Sequence, residues 1–228
     1  ETHKAEVIVK TPKMMEILDE PRLITPTFLN TYMRCAKSFY YKYIMSIREP
    51  EELEDEMDNR MFGNIFHRAA QLFYLKFASS SDIKVETDGE KSLIRPIVIT
   101  KGDIQNAIKD ESLLYRLVDQ AFKEELFKIK DQKKSPQYNG LQLINREVIT
   151  NYLKQLLYID MKLAPFTIKG LEMKVEKTFE FSTPSGTKIL RLGGFIDRLD
   201  EVSASESSDN SILGERIRVI DYKTGRIP

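Results

Sequence analysis

The chain has 228 residues, 41% of them hydrophobic and 31% charged, enough apolar material to bury one large core or two small ones. Its 35 Lys and Arg balance 35 Asp and Glu, so no net field draws the molecule to a polyanion and any nucleic acid must be held by local basic patches. A single cysteine, Cys35, excludes an internal disulfide and a cysteine-built zinc or iron–sulfur site from this chain alone, and fits a reducing, cytoplasmic setting.

No run approaches the roughly 18 apolar residues that span a bilayer, and the opening ETHKAEVIVK lacks the charged-then-apolar order of a signal peptide, so no membrane partner is expected. The chain begins with Glu and stops just after DYKTGRIP, which predicts a fragment of a longer protein. Thr25-Pro26 opens the first strong helix with a cap and a first-turn proline. Phe28, Leu29, Tyr32, Phe39, Tyr40, Tyr43 and Ile44 follow as its buried stripe, and the aromatic rings beside Lys37 and Lys42 are read as core packing before base stacking. The acidic run 49–58 reads as a solvated loop and helix start. A second helix fits 58–79, with Phe62, Ile65, Phe66, Ala69, Leu72 and Phe73 repeating at three and four. Residues 80–99 look polar and irregular; 100–127 reads as two helices or one broken helix, and 139–164 as one long helix.

After Pro165 the pattern changes from helical to alternating. Residues 171–183, 187–202 and 215–225 read as three strands, with a PSG turn after the first and the serine-rich surface loop 203–211 after the second. The expected architecture is α+β: one domain over 1–228, mainly helical over 25–164, with an antiparallel three-strand meander over 165–228.

The last strand ends by placing Asp221 and Lys223 on one face and Tyr222 on the other, because side chains alternate along a strand. Such a pair is either a weak surface ion pair or a place where a cation and a phosphate meet. Asp197, late in the preceding strand, shares a face with Phe195, and its carboxylate and that of Asp221 could lie on neighbouring strands about 5 Å apart in backbone spacing. Like charges that close call for a cation between them, and oxygen ligands favour magnesium or manganese. Lys223 would then stabilise charge on a phosphoryl group or activate water, and His67 on the second helix would add a nitrogen ligand. Taken singly, His67 reads as a core or boundary residue and Asp197-Arg198 as surface chemistry; Glu176 and Glu180 could reach the site but on an alternating strand read as solvent-facing.

In that order along the chain, GNIFHRAAQ, GGFIDRLD and VIDYKTG resemble the G-x-x-x-H, G-x-x-D-R-I/L-D and D-Y-K-T-G motifs of the PD-(D/E)XK nuclease superfamily, specifically its RecB/AddB-type branch. The upstream FLNTYMRCAKSFYYKY is similar to the helix that precedes them in that branch, with Ala36 where a proline is usual. The resemblance covers residues 25–226 and implies a restriction-endonuclease-like core. It implies Mg²⁺ or Mn²⁺ held by His67, Asp197, Asp221 and the backbone carbonyl of Tyr222, with Lys223, Asp221 and Asp197 catalytic. It further implies DNA as substrate, exonuclease-like hydrolysis of phosphodiesters, and a helicase or recombination partner in DNA end processing and repair. The Q-x-x-x-Y motif and three cysteines found after it in cluster-bearing relatives are absent, which implies a core truncated at its C-terminal end and makes Cys35 a packed thiol. Two other readings stand beside this one: an inactive relative that binds DNA or braces a partner subunit, and a different metal-dependent phosphoesterase, for which one His and two Asp are few ligands.

Overall fold

The computed structural model describes residues 7–20, 22–48, 57–85, 91–129, 131, 135–184, 186–202 and 216–225. It divides into two compact units: Glu1–Leu53 with Lys174–Phe195, and Glu54–Met173 with Ile196–Pro228. The serine-rich loop 203–211 and most of the acidic run 49–58 lie outside the described residues.

In the first unit, α1 (Pro12–Asp19) is capped by Thr11, and α2 (Pro26–Arg34) by Thr25, whose hydroxyl accepts from the Phe28 N–H at 3.2 Å. The single long helix expected from Thr25 does not continue. Cys35 takes an extended backbone (φ −159°, ψ 105°) and ends α2, then caps α3 (Ala36–Phe39), its Sγ accepting from Ser38 N–H at 3.4 Å. Five residues of π-helix, Tyr40–Ile44, follow. Cys35 is therefore exposed, a correction to the packed thiol expected: the break turns its side chain to the cap. The same break interrupts the stripe, so that Phe39 is buried while Leu29 and Tyr32 remain exposed, and the aromatic residues line an apolar cavity of about 510 Å³. The two-residue β1 (Leu23–Ile24) pairs in parallel with β6 (Gly186–Val202), Leu23 opposite Arg191.

The second unit holds the larger core. Helices α4 (Asn59–Leu75), α5 (Lys101–Lys109), α6 (Glu111–Glu125) and α7 (Gly140–Leu163) begin at Asp58, Thr100, Asp110 and Asn139, each of which accepts a hydrogen bond from a backbone N–H of the first turn. Arg146 on α7 grips Asp119 on α6 with two hydrogen bonds, 2.5 and 2.8 Å. Ile65, Ala69, Phe73, Val118, Phe122, Ile149 and Leu153 are sealed from solvent between the helices. The tract 80–99, expected to be irregular, carries β2 (Ile83–Val85) paired antiparallel with β3 (Lys91–Leu93), and β4 (Ile97–Ile99). Only three residues long, β4 is antiparallel to β5 (Phe166–Thr183), with Ile97 and Ile99 opposite Ile168 and Phe166 and buried with them. Strand β5 also neighbours β6, and β6 pairs antiparallel with β7 (Arg216–Ile220) from Arg198 opposite Ile220 to Val202 opposite Arg216. The described residues thus give an α+β fold with seven α-helices and a mixed sheet, and none of those helices is long and apolar enough to cross a membrane.

Candidate metal centre

Helix α4 places the histidine. Its apolar residues recur on one face and bury Ile65, Phe66, Ala69 and Phe73, which leaves His67 on the flank of the stripe, its ring 27% exposed. One turn earlier, Gly63 makes room for another segment: a Cβ there would lie 3.1 Å from the Thr224 hydroxyl. The glycine of G-x-x-x-H thereby lets the stretch after β7 approach the helix that carries the imidazole.

Strand β6 places the first carboxylate. Continuing its register with β7 by one residue brings Asp197 opposite Asp221, which lies just past the strand end. The Asp197 carboxylate does not turn to its cross-strand neighbour. Its Oδ2 accepts the backbone N–H of Tyr222 at 2.6 Å and lies 3.5 Å from His67 Nδ1. The other ring nitrogen, Nε2, is 2.9 Å from the Tyr222 carbonyl oxygen. Helix and sheet residues 130 positions apart therefore meet around one backbone unit, that of Tyr222.

A third side chain joins them from β5. Glu172 Oε1 lies 3.6 Å from His67 Nδ1, and ligand atoms of His67, Glu172 and Asp197 all fall within 4.8 Å of one another. Asp221 and Lys223 stand differently: their side chains pair with each other at 2.9 Å, 58% and 65% exposed. Of the further acids considered, Glu176 is ion-paired with Arg191 and Glu180 is exposed.

The electrostatics follow this arrangement. Burial is the largest influence on Asp197 and raises its carboxyl above the ordinary range; the Tyr222 N–H and His67 pull it back, and Glu172 and Asp221 push it further up. Burial alone would lower the His67 imidazole, but Glu172, Asp197 and the Tyr222 carbonyl outweigh it and the net shift is upward. Lys223 is raised by its hydrogen bond to Asp221. Two acids and an imidazole crowded at the edge of a core favour a positive charge among them.

Beneath the cluster lies a network that the sequence did not suggest. Arg198, next to Asp197 but on the opposite face of β6, is fully buried. Its guanidinium makes a bidentate pair with Asp160 of α7 (2.6 and 2.8 Å), lies 3.1 Å from Asp200, and donates to the Tyr222 hydroxyl at 3.2 Å. Tyr74 donates to Asp160, its ring 4.7 Å from the guanidinium carbon, and Arg218 reaches Asp200 at 2.7 Å. The isolated reading of Asp197-Arg198 as surface chemistry is thus corrected: the two residues face opposite ways, and Arg198 finds its counter-charge 38 residues upstream. Tyr222 links the two layers, its hydroxyl in the network and its backbone in the cluster.

The donor set fits a divalent cation. Two carboxylates and a neutral imidazole carry a combined charge of −2, and such mixed oxygen and nitrogen ligands suit magnesium- and manganese-type ions. Helices around a mixed sheet thus present a possible metal-holding group of one histidine and two acids beside an Asp-x-Lys strand end. A sequence profile of the PD-(D/E)XK nuclease superfamily matches residues 23–228, and the chain belongs to that superfamily. Its members are typically metal-dependent nucleases. No curated protein matches the chain.

Proposed function

We propose that this protein is a metal-dependent DNA nuclease of the RecB/AddB-type branch, hydrolysing phosphodiesters in an exonuclease-like manner as the nuclease module of a cytoplasmic helicase–nuclease that processes DNA ends for recombination and repair. The observation that carries this reading is the meeting of His67 from α4 with Asp197 from β6, both anchored on the backbone of Tyr222. In this reading His67, Asp197, Asp221 and the Tyr222 carbonyl hold Mg²⁺ or Mn²⁺. When bound, the cation supplies Lewis-acid polarisation of the scissile phosphodiester.

The remaining work falls to the chain. Before a cation enters, the Tyr222 carbonyl opposite Nε2 orients the imidazole so that Nδ1 faces the carboxylates. The Tyr222 N–H fixes Asp197 in the same way. Lys223 offers an exposed ammonium that can leave Asp221 at little cost and lie against a non-bridging phosphoryl oxygen, neutralising charge as it builds. The imidazole nitrogen favours Mn²⁺ over Mg²⁺ in affinity.

The test is a titration of Mg²⁺ or Mn²⁺ on linear DNA with the unmutated protein, Asp221→Ala and Lys223→Ala. Divalent-dependent cleavage lost in both variants supports the reading, and cleavage surviving in both rejects it. A second reading, an inactive relative that binds DNA or braces a partner subunit, draws on the closed Asp221–Lys223 pair. DNA binding without cleavage by the unmutated protein would favour it.

A further inference from the structure

We infer that Glu172 is a cation ligand of this centre and that the backbone of β5 is distorted to deliver it; the inference rests on the metal-dependent reading above. Regular alternation along β5 would put Glu172 on the same side as Ile168 and Gly170, facing the core, and would turn Leu171 away from it. The structure departs from that pattern at Leu171 and Glu172. Leu171 is buried at 4% exposure with Phe166 and Ile168, and Glu172 stands at the cluster edge, 3.6 Å from His67 Nδ1.

The backbone leaves regular strand geometry at Glu172. Its φ is +46°, the left-handed region that residues with a Cβ rarely adopt and that glycine takes freely. The turn folds Met173 back over the strand, so that a Cβ on Gly170 would lie 2.9 Å from Met173 Sδ and 3.1 Å from Met173 Cβ. A break of this kind has the character of a β-bulge, which re-aims a side chain at the expense of regular pairing. A carboxylate occupies the position where glycine would relieve the backbone. Its distinguishing contribution is charge at the cluster.

That charge completes the ligand set. Until Lys223 leaves it for a phosphoryl oxygen, Asp221 is neutralised by its ion pair, and Asp197 alone gives the His67 cluster a charge of −1. Glu172 brings it to −2, matching a divalent ion. Its place on a core strand, instead of a loop, makes it a rigid member of the site.

The experiment follows Mn²⁺ binding by the electron paramagnetic resonance of the free ion, in the purified protein and in Glu172→Gln, Glu172→Gly and Asp197→Asn. Glu172→Gln is expected to weaken Mn²⁺ at least about tenfold, the lower end of what loss of even an outer-shell partner produces. Glu172→Gly is expected to weaken it equally while raising the metal-free Tm by about 2–4 °C, because glycine accepts the left-handed backbone. A merely structural glutamate would give the opposite pair of results, a lowered Tm and unchanged Mn²⁺ affinity, and would overturn the inference. Binding lost in Asp197→Asn but unchanged in Glu172→Gln overturns the role of Glu172 while leaving the metal centre in place. No Mn²⁺ binding by the unmutated protein overturns the metal reading and this inference with it.

Discussion

Asp197 and Arg198 are neighbours in sequence and opposites in environment. Asp197 looks toward a half-open cluster with His67 and Glu172, where like charges crowd and a hydrogen bond from Tyr222, an imidazole and the nearby Lys223 offset them in part. Arg198 looks into the core, where every charge is met: Asp160 takes both terminal nitrogens, Asp200 lies beside Nε, and the rings of Tyr74 and Phe166 flank the guanidinium at 4.7 and 5.2 Å. The cluster is electrostatically incomplete, whereas each buried charge of the network below it has an opposite charge beside it. The alternation of one strand separates the half-open cluster from the buried network behind it.

The sharpest way to break this contrast is from the buried side. Asp160→Ala strips the fully buried Arg198 of its bidentate partner and leaves it only Asp200, which Arg218 also engages, a loss of about 3–5 kcal/mol. Thermal unfolding should show the Tm falling by about 10 °C or more. On the cluster side the expectation reverses: Asp197→Asn keeps an oxygen for the Tyr222 N–H but removes a charge that repels Glu172. Mn²⁺ affinity should drop by about a hundredfold or more, while Tm stays level or rises. A variant that lost both together would erase the distinction between the two layers.

Two smaller effects sharpen it. Gly63→Ala should gain up to about 1 kcal/mol of helix propensity, yet press a Cβ on the Thr224 hydroxyl next to Lys223. Cleavage of linear DNA should fall while chemical denaturation shows no loss of stability. The smallest effect is one of pH. Burial raises the Asp200 carboxyl above its ordinary value, against the pull of Arg198 and Arg218. A raised acid contributes its stability fully below its unfolded value, about 4, and loses it as pH rises through the folded one. The destabilisation caused by Asp200→Asn should therefore shrink as pH is raised across that window, read as the difference in Tm from the unmutated protein.

Much of this architecture was legible before any coordinates. Period-three-and-four spacing located α4 and its buried face, and the Thr25-Pro26 pair marked the start of α2 where its cap is found. Alternation put Asp197 on one face with Phe195, and the three motifs named His67, Asp197 and Tyr222, which the fold brings into contact. What stayed hidden depended on partners far along the chain or on broken periodicity. Arg198 reads as a surface residue until Asp160 is placed beside it. Glu172 was not among the acids the sequence singled out, because on a regular strand it falls in phase with Ile168 and Gly170 and nothing in that pattern marks the turn of its backbone. β4 is three apolar residues in a polar tract, too short to declare a period. Cys35 gave no sign of ending a helix, because the aromatic spacing continues across it.

Anomalous scattering from crystals grown with Mn²⁺ tests the central claim most directly. The account predicts a peak about 2.1 Å from a His67 ring nitrogen and from an Asp197 carboxylate oxygen together. A peak held by Asp221 alone, or none near His67 at saturating Mn²⁺, would contradict it.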